Sequence, residues 1–225
     1  MTAPEVAAPH LEWIRPPHQE RSHRTLERLL DATEALLAER DFDDIGVAEI
    51  ARAARSSVGA FYTRFPDKIA ILHALHERFC TEAFATADAT LSRERWRGRG
   101  IAELLSTVVP FLVRVVRDRR GLQRAVLVQS LVNRDFRERS ARLTRHLNQL
   151  LSERLLDRRR EIRHPDPALA SDFGLRQVLA ALDAWIVEPE TDAGLRTLSD
   201  AQIAAELTRS FLAYLGVRGP STKET

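Results

Sequence analysis

The chain has 225 residues, 44% hydrophobic and 6% aromatic, enough for one full core and a smaller satellite. A net charge of +2 and a pI near 9.1 are too slightly basic to argue for nucleic acid by bulk charge, and lysine occurs only at Lys68 and Lys223. No apolar run is long enough to span a membrane, MTAPEVAAPHLEWIRPPHQE lacks the pattern of a signal peptide, and the single Cys80 excludes an internal disulfide framework, so a soluble, cytoplasmic protein is expected.

Residues 1–22 read as a flexible arm. From Thr25 to Glu39, Leu26, Leu29, Leu30, Leu36 and Leu37 recur three and four apart and predict an amphipathic helix. DFDDIG breaks it, and VAEIARAA, residues 47–54, predicts a short second helix. After a turn at Arg55 to Ser57, SSVGAFYTRFPDK holds a third helix, too short to stand without neighbours and stopped by Pro66. Asp67 is placed to cap a long helix reaching Leu91. Further helices are predicted at Ile101–Val116, Gly121–Val132 and Phe136–Arg160. Asp166 and Pro167 open one that runs to Ile186 and is ended by Pro189, and Ser199 with Gln202 opens the last, which stops at Gly216. The fold class is all-α, with about nine helices.

The second and third helices have the spacing of a helix-turn-helix. Ala51 lets the backbones approach, while Ile50, Val58 or Phe61, and Phe65 seal a small core. Ser57 would cap the third helix, Gly59 would let a partner's backbone approach, and the Tyr62 hydroxyl and Lys68 would reach phosphates. Val58, Ala60, Thr63 and Arg64 would meet base edges in the major groove.

VAEIARAARSSVGAFYTRFPDKIAIL resembles the DNA-binding signature of the TetR/AcrR family of transcriptional regulators, at Ile50, Ala51, Ala54, Ser57, Gly59, Phe61, Tyr62, Phe65 and Lys68. The likeness covers about the first third of the chain; the rest agrees in architecture alone. It implies a helix-turn-helix domain over residues 23–83, a ligand-binding and dimerisation domain over 84–218, and a flexible tail over 219–225. It also implies a homodimeric repressor that a small molecule releases from palindromic double-stranded operator DNA. Two departures stand out. Arg55-Ser56 replaces the usual Gly-Val of the turn, placing a non-glycine where a left-handed backbone costs about 1 kcal/mol. Ile45-Gly46 replaces the usual Thr or Ser cap of the second helix, at a few tenths of a kcal/mol.

Between Glu20 and Lys68, ten acidic residues face eight basic ones, so DNA binding would depend on keeping the acids of the first helix and the DFDD turn away from the duplex. His73, His76 and Cys80 share a helical face, but with no fourth ligand in view no metal and no cofactor are assigned. The arginines between Arg93 and Arg163 read as solvated helix faces, or as a field drawing an apolar or anionic effector toward Phe111, Phe136, Trp185 and Tyr214. The helices Ala168–Ile186 and Ser199–Leu215 are expected to pair with their twofold mates, with Leu182 and Leu207 at the seam. No catalytic set is found, so an enzyme is not expected, nor is a membrane partner. A rival reading is a helical ligand-binding or interaction protein with a defective helix-turn-helix, motivated by Arg55-Ser56.

Overall fold

Leu26, Leu29, Leu30, Thr33 and Leu37 lie buried along one face of the first helix, α1 (Glu20–Glu39), in a computed structural model that describes residues 20–187 and 197–217. α1 begins before Thr25, where the apolar stripe starts, because exposed His23 and Arg24 extend the helix without adding to its core face. A 3-10 turn at Phe42–Asp44 buries Phe42 and leads into α2 (Val47–Ala53) and α3 (Val58–Tyr62). Asp67 accepts from the Ala70 amide at 2.8 Å and starts α4 (Lys68–Thr90).

The loop after α4 is pinned from far along the chain. Trp96 is buried and its Nε1 donates to the Thr90 carbonyl at 2.7 Å. Gly100, the cap residue of α5 (Ile101–Asp118), has no side chain to offer, and Glu161 Oε2 accepts from the Ile101 amide at 2.9 Å instead. α6 (Arg120–Val132) and α7 (Arg134–Leu156) follow. α7 stops at Leu156, not Arg160: the Arg158 guanidinium donates to the Trp96 and Arg99 carbonyls, and the chain tightens into a 3-10 turn at Arg159–Glu161.

Asp166 Oδ1 accepts from the Ala168 and Leu169 amides at 3.1 and 3.0 Å at the start of α8 (Pro167–Val187), and Pro189, expected to end that helix, lies outside the described residues. α9 (Asp200–Leu215) opens on the Ser199/Gln202 capping box and closes on Gly216 at φ 69°. Nine α-helices thus stand among the described residues.

Two apolar cores form. The first joins Leu29, Ile50, Phe61, Phe65 and Leu75 of α1 to α4 with Leu122, Ala125 and Val126 of α6 and Phe136 of α7. The second joins Trp96, Leu105, Val109, Leu155, Leu182 and Phe211. The boundary expected at residue 83/84 falls inside α4, and the first core reaches well beyond it. α6 meets α1 backbone to backbone: a Cβ at Gly121 would lie 1.7 Å from the Leu37 carbonyl oxygen.

Candidate nucleic-acid interface and effector cavity

α2 closes with the Ser56 amide on the Ala51 carbonyl at 2.8 Å and the Arg55 amide on the Arg52 carbonyl at 3.0 Å. This is a Schellman closure, and Arg55 holds its left-handed position, normally a glycine's, at φ 49°. The turn forms in spite of the departure, with the strain the sequence predicted.

Ser57 Oγ accepts from the Ala60 amide at 3.1 Å and starts α3. Phe61, and not Val58, seals the motif: Phe61 and Phe65 are fully buried with ring centroids 5.2 Å apart, while Val58 is 41% exposed. Tyr62 is 49% exposed, and Ser57, Gly59 and Thr63 are exposed around it. A Cβ at Gly59 would meet nothing nearer than Ser57 Oγ at 3.9 Å. Ala60 is half-buried. Thr63 and Arg64 turn back onto their own helix, donating to the Gly59 and Ala60 carbonyls at 2.8 and 3.0 Å.

Lys68 departs from the expectation of a phosphate ligand. Its Nζ donates to the carbonyls of Phe42, Asp43 and Ile45 at 2.8, 3.2 and 3.1 Å and sits 4.5 Å over the Phe42 ring. All three ammonium protons are thus committed within the chain. Lys68 serves as a staple between the 3-10 turn and the start of α4.

Three acids of α1, and Asp41 just after it, are paired with arginines of α4 and α6. Arg78 of α4 binds Glu27, Asp31 and Glu34 at 3.3, 2.7 and 2.6 Å, and Arg124 of α6 binds Asp41 at 2.5 Å. Arg52 and Arg55 stay exposed beside the turn, with no acidic partner among the described residues.

His73, His76 and Cys80 are all buried, and no group of residues suited to a metal stands among the described residues. Arg139 of α7, expected on a solvated face, is 5% exposed. Its Nη1 donates to Nδ1 of His73 at 3.4 Å and of His76 at 3.3 Å, and its Nε meets Glu77 Oε2 at 2.5 Å. His73 also stacks on Phe136 at 3.9 Å. Burial first and the Arg139 charge second push His73 down to about 4 and His76 to about 3, so both imidazoles are neutral acceptors at neutral pH. Burial raises the Cys80 thiol to about 12, which leaves it inert.

Between α4, α5, α6, α7 and α8 lies a cavity of about 460 Å³, walled by Phe79, Leu91, Phe111, Leu143, Leu182 and Ile186 among others. Of the four aromatics proposed from the sequence, Phe111 lines it and three do not. Phe136 is fully buried against the histidines in the first core. Trp185 packs on the second core, its carbonyl accepting from Arg120, and Tyr214 packs against His164 and Phe173. Leu182 is buried and faces the cavity, whereas Leu207 is half-buried against the second core. The exposed large apolar residues of α8 are Leu169, Phe173 and Val187.

The sequence reading passed over Asp183, whose carboxylate stands on the cavity wall. The signal was present: Asp183 shares a helical face with Leu179 and Ile186, a lone acid on an apolar stripe. The residue is exposed, and the partial desolvation of its carboxyl beside the apolar wall raises its pKa.

Residues 29–75 match the family model of bacterial regulatory proteins of the tetR family. No curated protein matches the chain. A TetR-family transcriptional regulator of Mesorhizobium loti superposes with a TM-score of 0.68 at 17% identity, over 90% of this chain and 100% of that one. A transcriptional regulator of Saccharomonospora viridis in complex with choline gives 0.68 at 19% identity, over 85% and 96%. NalD, the secondary repressor of the MexAB-OprM multidrug efflux pump in Pseudomonas aeruginosa, gives 0.59 at 19% identity, over 88% and 98%. The chain has the fold of TetR-family transcriptional regulators, with a tetR-type domain at its N-terminal end.

Proposed function

We propose that this TetR-type chain is a sequence-specific DNA-binding transcriptional regulator, acting as a homodimeric repressor that a small molecule releases from a palindromic operator. The observation that carries this is the outward face of α3, where Val58, Tyr62 and Thr63 are exposed around an uncrowded Gly59. Nothing among the described residues crowds that position, which suits close approach by a partner's backbone. Ser57, Val58, Gly59, Ala60, Tyr62 and Thr63 form the proposed contact surface, with Arg52 and Arg55 beside it for phosphates. The closed turn around Arg55 argues against a defective motif.

The cavity supports the effector part of this reading. Phe79, Ala83 and Ala87 of α4 line it, and the same helix starts at Lys68 beside the DNA-reading unit. An occupant that shifts α4 alters the separation of two α3 helices in a dimer, which must be about 34–36 Å or a multiple to read successive major grooves. We assign no catalytic step.

The test is binding of the purified protein to its own upstream DNA over a salt series. One palindrome should bind far tighter than scrambled DNA, with affinity falling steeply as salt rises. Equal affinity for all sequences would refute the regulator reading.

A further inference from the structure

Arg139 fixes the proton on His76. A guanidinium can only donate, and its Nη1 lies 3.3 Å from His76 Nδ1, so Nδ1 accepts and the neutral ring carries its proton on Nε2. That nitrogen stands 3.3 Å from Ser140 Oγ and therefore donates to it. Arg139 is itself held by Glu77 at 2.5 Å, so the order of donors and acceptors is set from inside the fold.

Ser140 is left with a proton to give. Ser130 and Thr86, hydroxyls on the same cavity wall, return theirs to the carbonyls of Val126 and Glu82, each at 2.8 Å, one turn back along their own helices. Ser140 makes no such bond, and among the described residues no acceptor takes its proton. His76 and Ser140 both line the cavity; His76 is the first residue of α4 on its wall and Leu91 the last, while Leu143 and Leu147 share the Ser140 face of α7. Asp183 and Arg137, both exposed, are solvated and leave the charge of an occupant open. The Gln123 amide, with donor and acceptor on one group, turns to suit either.

We propose that Ser140 is the fixed hydrogen-bond donor of the cavity, oriented by Arg139 through His76, and that the occupant sets an acceptor oxygen such as a carbonyl against it, with its apolar body along α4 toward Leu91. On the reading given above, that occupant is the effector. Ser140 selects for the oxygen whatever the net charge of the molecule, and His76 and Arg139 act through it as positioning residues. A molecule of the same shape with a methylene in place of the carbonyl leaves the Ser140 proton unmatched at an apolar wall.

The test titrates the full-length protein calorimetrically with butyrophenone and butylbenzene, which differ by a carbonyl in place of one methylene, using wild type, Ser140→Ala and Ser140→Thr. Ser140→Ala should weaken butyrophenone about fivefold or more and leave butylbenzene within about twofold, and Ser140→Thr, which keeps the hydroxyl, should favour the ketone as wild type does. A merely structural role would move both ligands together. Nitrogen NMR of the imidazoles should show His76, its signal identified by loss in His76→Gln, protonated on Nε2 in wild type and in Ser140→Ala. Equal losses for the two ligands in Ser140→Ala, an undiminished butyrophenone affinity, a His76 protonated on Nδ1, or binding of neither ligand by wild type overturns the proposal. Operator affinity measured on the same samples separates the two readings. A Ser140-dependent preference for the ketone without operator binding removes the regulator and keeps the donor site; operator binding without that preference does the reverse.

Discussion

Arg139 of α7 lies against Glu77 of α4 at 2.5 Å while its other nitrogen reaches both His73 and His76, so one buried guanidinium ties two helices together through an acid and two neutral imidazoles. The arrangement is sensitive to acid. An unfolded histidine titrates near 6.5, whereas His73 and His76 are held at about 4 and about 3. Below about pH 6.5 the unfolded chain takes up protons that the folded one refuses, so the stability these histidines contribute is complete above that pH and is lost as pH falls. From about pH 6.5 to pH 5 the loss is roughly 2 kcal/mol for each histidine. Arg142 and His73 also press on His76, while Asp135 and Asp67 pull His73 the other way, and Glu77 balances Arg139. Urea unfolding across this range should show the decline, and His76→Gln should make it shallower. A pH-independent midpoint in wild type would contradict the buried, neutral assignment.

Lys68 and Tyr62 should part company. Lys68→Met removes three hydrogen bonds to carbonyls and a contact with the Phe42 ring, at roughly 1–2 kcal/mol of stability. Tyr62→Phe should leave thermal unfolding unchanged and weaken binding to all DNA sequences alike. Thermal melts beside salt-dependent binding curves check both. A Lys68→Met protein of wild-type stability would sink the staple.

Arg55→Gly should raise stability by roughly 0.5–1 kcal/mol, because it relieves a left-handed arginine without disturbing the two hydrogen bonds that close the turn. Chemical denaturation measures the gain. Lower stability in the glycine variant would mean that the arginine side chain contributes more than its backbone costs.

The dimer seam is better sought on exposed α8 positions than at Leu182. Leu169→Glu combined with Phe173→Glu should leave the protomer folded, halve the mass in sedimentation equilibrium and abolish palindrome binding. Leu182→Glu should instead unfold the second core, since it buries a charge there. A double variant that stays dimeric would move the seam off this face.

Local signals were legible and distant ones were not. The caps at Ser57, Asp67 and Ser199 act within three residues of themselves, and the structure has each of them. Lys68 finds its carbonyls as far back as Phe42, which no spacing rule encodes. Phe111 and Phe136 look alike on their helices, and only the crossing of those helices sends one to the cavity and the other under the histidines. Arg139 resembled its exposed neighbours for the same reason: its burial depends on where α4 lies.

The close approach of Gly121 to Leu37 bears on how this protein can be recombined with others. A chimera cut within α4 would carry a foreign reading head onto α6 without the matching Leu37 backbone, and would expose Leu122, Ala125 and Val126 where the old head had covered them. The transplantable unit is discontinuous in sequence: α1 to α4 together with the opening turns of α6 and the Phe136 end of α7. A graft that respects this boundary exchanges DNA specificity; one that follows chain order alone leaves an apolar scar on each half.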